Sequence, residues 1–506
     1  MVSIEHDMIQ EVVILGGGSA GLLAAITLAK QLPHLKLRLI RSLDIGVIGV
    51  GEGTTAAFPR HFFDYLKMPV KPFYQGVQPT WKLGIRFLWG PREEFYYTFA
   101  KEYTQEIEGF SRRPGFYHDE ETTWLGPISA LMAKGTVFPR KPDGTPQIRP
   151  PHAYHIENEK LVSYLEQVAR AVGVTITDGK VDQVETGPVN TNGGSELGVK
   201  RLILESGESV TADLFVDASG FRSELLGKAL AVPQVTYSDS LFCDRAVIAG
   251  WSRTNEPILP YTTAETMDHG WAWQIEHENF INRGYVYASN FVSDDAALEE
   301  FRRKNPQLST EPRVVKFRSY RCEKMWSGNV VGIGNASGFV EPLEATALQI
   351  ICVQTSTLAD VLMDSLCEPT PSLVDFYNRY NAGQWDDTRD FLAVHYKFNT
   401  RLDTPFWQTC RADTRLGGAQ QMVDSYLENG PSTLLNGIIL PPQNSFGFDG
   451  YLAMLVGQCV PHGKPYRPSP EEAARWKRRR DEIGAAAEGA MNIRESIQVL
   501  RHAGWC

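Results

Sequence analysis

The chain has 506 residues and a formal net charge of −10, with 42% hydrophobic and 22% charged residues; this is enough for a large core in two or three lobes and argues against a general nucleic-acid surface. Its seven cysteines are odd in number and form no CxxC pair, which argues against a disulfide framework or structural zinc site and points to a reducing cytoplasm. No apolar run approaches the roughly 18 residues that cross a bilayer, and acidic residues stand where a signal peptide wants basic ones, so neither a membrane segment nor export is expected.

In chain order, Val12–Leu15 is a short continuous apolar run ending at glycines and followed by the helical Leu22–Ala29. That pattern predicts buried strand, tight turn and helix, and Leu35–Ile40 supplies the second strand of a βαβ unit. Gly16-x-Gly18-Ser19-Ala20-Gly21 sits at the turn. The first glycine permits the turn, the second lets a pyrophosphate approach the helix N-terminus, and the third allows close helix–strand packing. A dinucleotide site is therefore expected. Lys82 lies in Trp81–Phe87, where Leu83, Ile85 and Phe87 alternate. Spacing alone makes it a lysine on a solvated strand edge. Residues 91–123 and 139–151 read as long surface loops.

A helix is predicted from Tyr154 through Ala169, a strand at Val174–Ile176, and a loop over the Gly-, Asn- and Thr-rich residues 185–198. Leu202–Leu204 and Leu214–Ala218 read as strands, the second ending at Asp217-Ala-Ser-Gly220. Residues 240–320 are largely β in pattern, and Trp271 and Trp273 read as a core pair on one strand face. From about 343 the chain becomes helical. Glu341 and Glu344 flank Pro342, which suits a first helical turn, so both carboxylates fit a helix N-terminus. Ser469-Pro-Glu-Glu472 is a helix start with a capping box, and Lys477–Arg480 a solvated helix face.

Three distant segments together resemble the flavin-dependent halogenases typified by tryptophan halogenases. These are Thr80–Phe87, Gly270–Ile275, and Gly332–Thr346 with its Glu-Pro-Leu-Glu. The resemblance runs over about residues 10–460. It implies an α/β FAD-binding doubly wound fold of the glutathione-reductase and hydroxybenzoate-hydroxylase type. Residues 1–370 would hold the flavin, with an inserted β-sheet substrate region at about 235–320, and 371–506 would form a mostly helical pocket lobe.

The same resemblance assigns the site. FAD would be held by Gly16, Gly18, Ser19, Ala20 and Gly21, by the loop Gly49, Val50, Gly51 and Glu52, and by Val181, Asp217, Asn335 and Leu348. Arg41 stands where the family usually places a ribose-binding Glu, and an Arg there also suits a 2′-phosphate. Lys82 and Glu344 would be catalytic, the lysine directing electrophilic halogen and the glutamate polarising it or taking the arene's proton. The backbone of Thr346 and Ala347 would hold halide. Trp271 and Trp273 would wall the flavin from the substrate. Ala345, Ala347 and Glu276 replace the usual Ser, Gly and Pro. A separate reductase would supply FADH2, with O2 and bromide or chloride as co-substrates. The acceptor would be an electron-rich arene, an indole rather than free tryptophan, because the family's Tyr- and Trp-rich segment is not evident at Phe446–Leu455. The expected protein is cytoplasmic, a monomer or homodimer, and binds neither metal, nucleic acid nor membrane. Two alternatives stay open: an FAD-dependent aromatic monooxygenase, though the usual Gly-Asp is Gly334-Asn335 here, and an inactive flavin-binding interaction protein.

Overall fold

In the computed structural model the described residues are 8–43, 51–110 and 122–505. The strand Glu11–Leu15 lies inside a six-stranded sheet, paired in parallel with Lys36–Arg41 on one side and Leu214–Asp217 on the other. Thr175–Asp178 and Val330–Gly332 extend the sheet in parallel, and Trp326–Ser327 closes one edge antiparallel. The continuous apolar run of the first strand now has its reason. Val12 and Ile14 enter the main core, while Val13 and Leu15 enter a second cluster on the opposite face. A strand buried on both faces does not alternate. On the main-core face, helix Ser19–Gln31 packs against Asn158–Ala171 and Ala347–Asp364.

The second face is covered by a hairpin that includes the expected loop 185–198 and the expected strand Leu202–Leu204. Val181–Thr191 and Gly194–Leu204 form a long antiparallel hairpin, turning at Asn192-Gly193. The polar composition reflects outward-facing strand positions, and Asn-Gly is a strong two-residue hairpin signal that composition masked. Val199, Leu202 and Leu204 close the second cluster. Residues 91–110 are also not all loop, since Phe95–Thr98 is a strand.

That strand is the edge of a seven-stranded sheet in the order 313–316, 245–252, 280–287, 270–276, 261–267, 84–88 and 95–98. All its pairings are antiparallel except that between Tyr261–Met267 and Gly84–Leu88. A small sheet of Glu52–Gly53, Ala153–Ile156 and Thr80–Lys82 carries residues of the candidate site. The segment expected as one strand therefore breaks at Leu83, whose N–H donates to the Pro260 carbonyl at 2.7 Å. Lys82 belongs to the small sheet and is fully buried, not on a solvated edge.

The last third is helical, led by the 28-residue helix Pro371–Phe398. Helix Pro470–Glu488 begins with the expected Ser469–Glu472 capping box. Among the described residues, no helix is long and apolar enough to cross a membrane, and no group of three or more His, Cys, Asp or Glu side chains could hold a metal ion.

Candidate active site

The glycine loop is shaped by close approach. Gly16 has φ +129°, and a Cβ there would overlap the Ala218 carbonyl. A Cβ on Gly21 would overlap the Gly16 carbonyl. Gly18 differs, because no atom of the described residues lies within 4 Å of where its Cβ would stand. It is also the N-cap of helix Ser19–Gln31, with no side-chain cap. The helix thus presents unsatisfied N–H groups to open space, which suits a pyrophosphate. Ala20 abuts Gly334, where a Cβ would come within 3.2 Å of the Ala20 methyl. Ser19 donates to Asn158 Oδ1 at 3.1 Å. The Gly334 N–H is held by Gln354 Oε1 at 2.7 Å, leaving Asn335 half-exposed beside it.

Two of the expected cofactor residues have protein partners. Arg41 is engaged by Glu166 and by Asp178 at 2.8 Å. Its charge is met by two carboxylates. The Asp217 carboxylate is buried and accepts from Ser219 N–H at 3.1 Å and from the Leu225 and Leu226 N–H groups at 2.8 Å each. It fixes the turn after its strand. Gly49 and Val50 lie outside the described residues. Gly51 follows at φ +65°, tight against His277 and Asn282. Glu52 is half-buried, but its Oε2 is shielded and has no hydrogen-bond partner among the described residues, and desolvation pushes its carboxyl up to about 7. Thr55 donates to Gln349 at 2.6 Å, tying this segment to helix Ala347–Asp364. Leu348 is buried at that helix's start and Val181 is half-buried at the root of the hairpin.

Lys82 meets the other candidate residues across Gly53. A Cβ on Gly53 would stand 3.3 Å from Lys82 Nζ, 3.3 Å from Thr262 Oγ1 and 3.4 Å from the Ala345 methyl. Among the described residues Nζ has no hydrogen-bond partner, and the Phe99 ring centroid lies 5.5 Å from it. Burial pulls the Lys82 ammonium down to about 7, with the Glu344 carboxylate opposing. Thr262 Oγ1 also bonds His155 Nε2 at 2.9 Å.

Glu341 and Glu344 are three residues apart and differently held. Glu341 Oε2 accepts from Trp271 Nε1 at 2.9 Å and from the Tyr396 hydroxyl. Burial raises its carboxyl to about 7 against those two bonds. Glu344 Oε1 lies 2.8 Å from His395 Nε2. Ala345 follows at φ +55° and Thr346 precedes the 18-residue helix without a side-chain cap. The first N–H groups of that helix, at Thr346 and Ala347, are placed as anion donors are. Trp271 and Trp273 share one face of their strand with ring centroids 6.0 Å apart. Gly284 makes room for the second, since a Cβ there would overlap its indole.

Glu276, which stands for the family's proline, forms a buried ion pair with Arg253. Arg253 also donates to the Pro257 carbonyl at 2.6 Å and the His277 carbonyl at 3.1 Å. The ion pair and these bonds hold the turn after the tryptophan strand.

His395 and Tyr396 were not read as site residues from sequence. Their partners lie 51 and 55 residues away, and no local spacing points there. Beyond His395, Phe391 stacks on Phe446 at 4.0 Å and meets Tyr451 at 5.1 Å and Tyr97 at 5.8 Å. Helix Gly447–Gly457 backs this aromatic group, with Gly450 against the Tyr97 hydroxyl.

A doubly wound sheet with a glycine-loop helix, a buried lysine and glutamate and a tryptophan pair are the features expected of a flavin-dependent halogenating enzyme. The comparisons agree. The family model described as tryptophan halogenase matches residues 11–469. Tryptophan 7-halogenase RebH of Lentzea aerocolonigenes is 30% identical over 450 residues, 83% of this chain and 82% of that protein. MibH, a lanthipeptide tryptophan 5-halogenase, shares 34% identity at a TM-score of 0.86, over 99% of this chain and 95% of its own. BrvH, a flavin-dependent halogenase from Brevundimonas sp. BAL3, shares 29% at 0.83, over 98% and 99%. The chain belongs to the flavin-dependent tryptophan halogenase family. It is an enzyme whose class works with FAD as FADH2 and a halide.

Proposed function

We propose that this enzyme uses reduced FAD, O2 and bromide or chloride to halogenate an indole or similar electron-rich arene, with Lys82 and Glu344 as catalytic residues. The observation that carries this reading is the convergence of a buried Lys82 Nζ, unpartnered among the described residues, with Gly53 and the Ala345 methyl, within the electrostatic reach of Glu344. A cavity polar group without a partner inside the protein is placed for one outside it. The open space at Gly18 and the orphaned Glu52 Oε2 fit a bound dinucleotide.

When bound, reduced FAD supplies hypohalous acid from O2 and halide; a separate reductase provides the electrons. The chain's residues do the rest. The helix N-terminus at Thr346 and Ala347 holds halide. Trp271 and Trp273 separate flavin from arene. Lys82 directs the electrophilic halogen by hydrogen bond or as a haloamine, and its depressed affinity for protons suits both. Glu344 takes the arene's proton or polarises the halogen donor.

The expectation of indole over free tryptophan rests on the family's Tyr- and Trp-rich segment not being evident at Phe446–Leu455. Bromide is expected to react at least as well as chloride, because Ala345 removes a serine hydroxyl from the halide region.

Lys82→Ala is expected to abolish halogenation and Glu344→Gln to lower it by about 10²–10⁴-fold, with FAD affinity kept in both. The check is mass-spectrometric product formation, followed alongside flavin oxidation, from indole, tryptophan, a tryptophan-containing peptide and a phenol. Wild-type yield from Lys82→Ala would refute the assignment. Chlorination of tryptophan with indole left unreacted would refute the substrate class.

A further inference from the structure

The hydrogen bonds around His395 restrict where protons sit. Nδ1 lies 2.8 Å from the Phe391 carbonyl oxygen, one turn earlier in the same helix. A carbonyl only accepts, so Nδ1 carries a hydrogen. Nε2 lies 2.8 Å from Glu344 Oε1. If the ring is neutral, Nε2 offers a lone pair, and Oε1 must carry the hydrogen between them. If the ring is an imidazolium, Nε2 donates to a carboxylate. A neutral ring against a bare carboxylate would set two acceptors together in a buried site, where neither has water to turn to; the two side chains are 0% and 3% exposed. Both permitted arrangements hold one proton between the residues, and both have no net charge.

The consequence falls on Lys82. Glu344 is the group that favours its charged form. A carboxylate that shares a proton with an imidazole offers much less net charge than a lone one. We propose that His395 is a positioning residue for halogen transfer: by holding one proton in common with Glu344, it weakens that carboxylate's hold on the Lys82 ammonium and leaves the lysine nitrogen able to release its proton. This rests on Lys82 and Glu344 acting as proposed above.

The other titratable groups around the trio do not supply the same effect. Tyr97, on Phe95–Thr98, is buried with its phenol pushed well above its ordinary value, so it stays neutral. His155, on Ala153–Ile156, is pushed well below its ordinary value by burial and by Lys82, so it stays uncharged. Glu341 is bonded to Trp271 and Tyr396.

The test uses the full chain carrying ¹³Cε-labelled lysine. The Lys82 resonance is assigned by its loss in Lys82→Ala, and its titration midpoint is compared between wild type, His395→Gln and His395→Phe. Neither replacement can carry the shared proton, but they differ: the Gln amide N–H still donates to Glu344 and keeps it a lone carboxylate, whereas Phe leaves the buried carboxyl without a donor, which favours its neutral form. In His395→Gln the midpoint is expected to rise by about one pH unit or more, and the Lys82-dependent limb of the single-turnover halogenation profile to move in the same direction; in His395→Phe no rise is expected. This direction holds whether the amine or the ammonium is the reactive form. A purely structural role for His395 would lower the rate at every pH and leave the midpoint in place. An unmoved midpoint in folded, FAD-binding His395→Gln overturns the inference. Full halogenation by Lys82→Ala would overturn the functional reading beneath it.

Discussion

An ammonium without a hydrogen-bond partner in a protein interior is destabilising, and among the described residues Lys82 has none. Unfolded, a lysine titrates near its model value of 10.5; folded, Lys82 is pulled to about 7 by burial. Between those values the unfolded chain binds more protons, so this group makes the fold more stable as pH rises. At and below the folded value the penalty is fully present. Lys82→Met keeps the chain length of the side chain and removes the charge. It is expected to stabilise the protein by on the order of a few kcal/mol at neutral or lower pH, with the gain fading as pH approaches 10.5. Chemical denaturation of both proteins across pH measures this, and a gain that grows with pH would contradict it. A residue retained at such a cost is consistent with function and not with stability. Spacing could not show this, since alternation described Lys82 as an edge residue. Only the break at Leu83, forced by the Pro260 carbonyl, turns it inward.

At the scale of elements, the strand–glycine–helix unit was legible because its pattern is local. The three glycines serve three distinguishable purposes, which gives a direct test. Gly21→Ala would drive a methyl into the Gly16 carbonyl, so both folded stability and FAD affinity are expected to fall. Gly18→Ala meets no atom of the described residues within 4 Å. Its melting temperature without cofactor is expected to change little while FAD affinity drops at least tenfold, because the methyl occupies space that a pyrophosphate would use. Equal loss of stability in the two variants would show that Gly18 is a packing residue. The hairpin Val181–Leu204 was legible only at Leu202–Leu204, and its 185–198 portion was missed for a related reason. Its outward positions are polar, and a strand with one wet face resembles a loop when composition alone is weighed. Glu276 shows the same limit. In sequence it is a departure from a motif, but in the fold it answers Arg253.

At the scale of the whole molecule, the site draws on both sheets and the helical third. Lys82 comes from the small sheet, the tryptophans from the seven-stranded sheet, Glu344 from the entry to one helix and His395 from within another. Each of the first three segments carries a motif of its own, so each could be read separately. His395 has meaning only through a contact across 51 residues, which periodicity does not encode. The same architecture bears on how electrons arrive. The six-stranded sheet offers one glycine loop opening a helix, at Gly16–Gly21, and the other large sheet is mostly antiparallel. Among the described residues no second strand–glycine–helix unit is present for a nicotinamide dinucleotide. Reduction of bound FAD is therefore expected to depend on a second protein that delivers FADH2. Mixing the FAD complex anaerobically with excess NADH or NADPH should leave the flavin absorbance unbleached over the time of many turnovers. Adding a flavin reductase to the same mixture should bleach it, and admitting O2, halide and indole should then yield product. Rapid bleaching by NADH or NADPH alone would mean that this chain carries its own hydride-accepting site, and would place it with the monooxygenases that reduce their flavin directly.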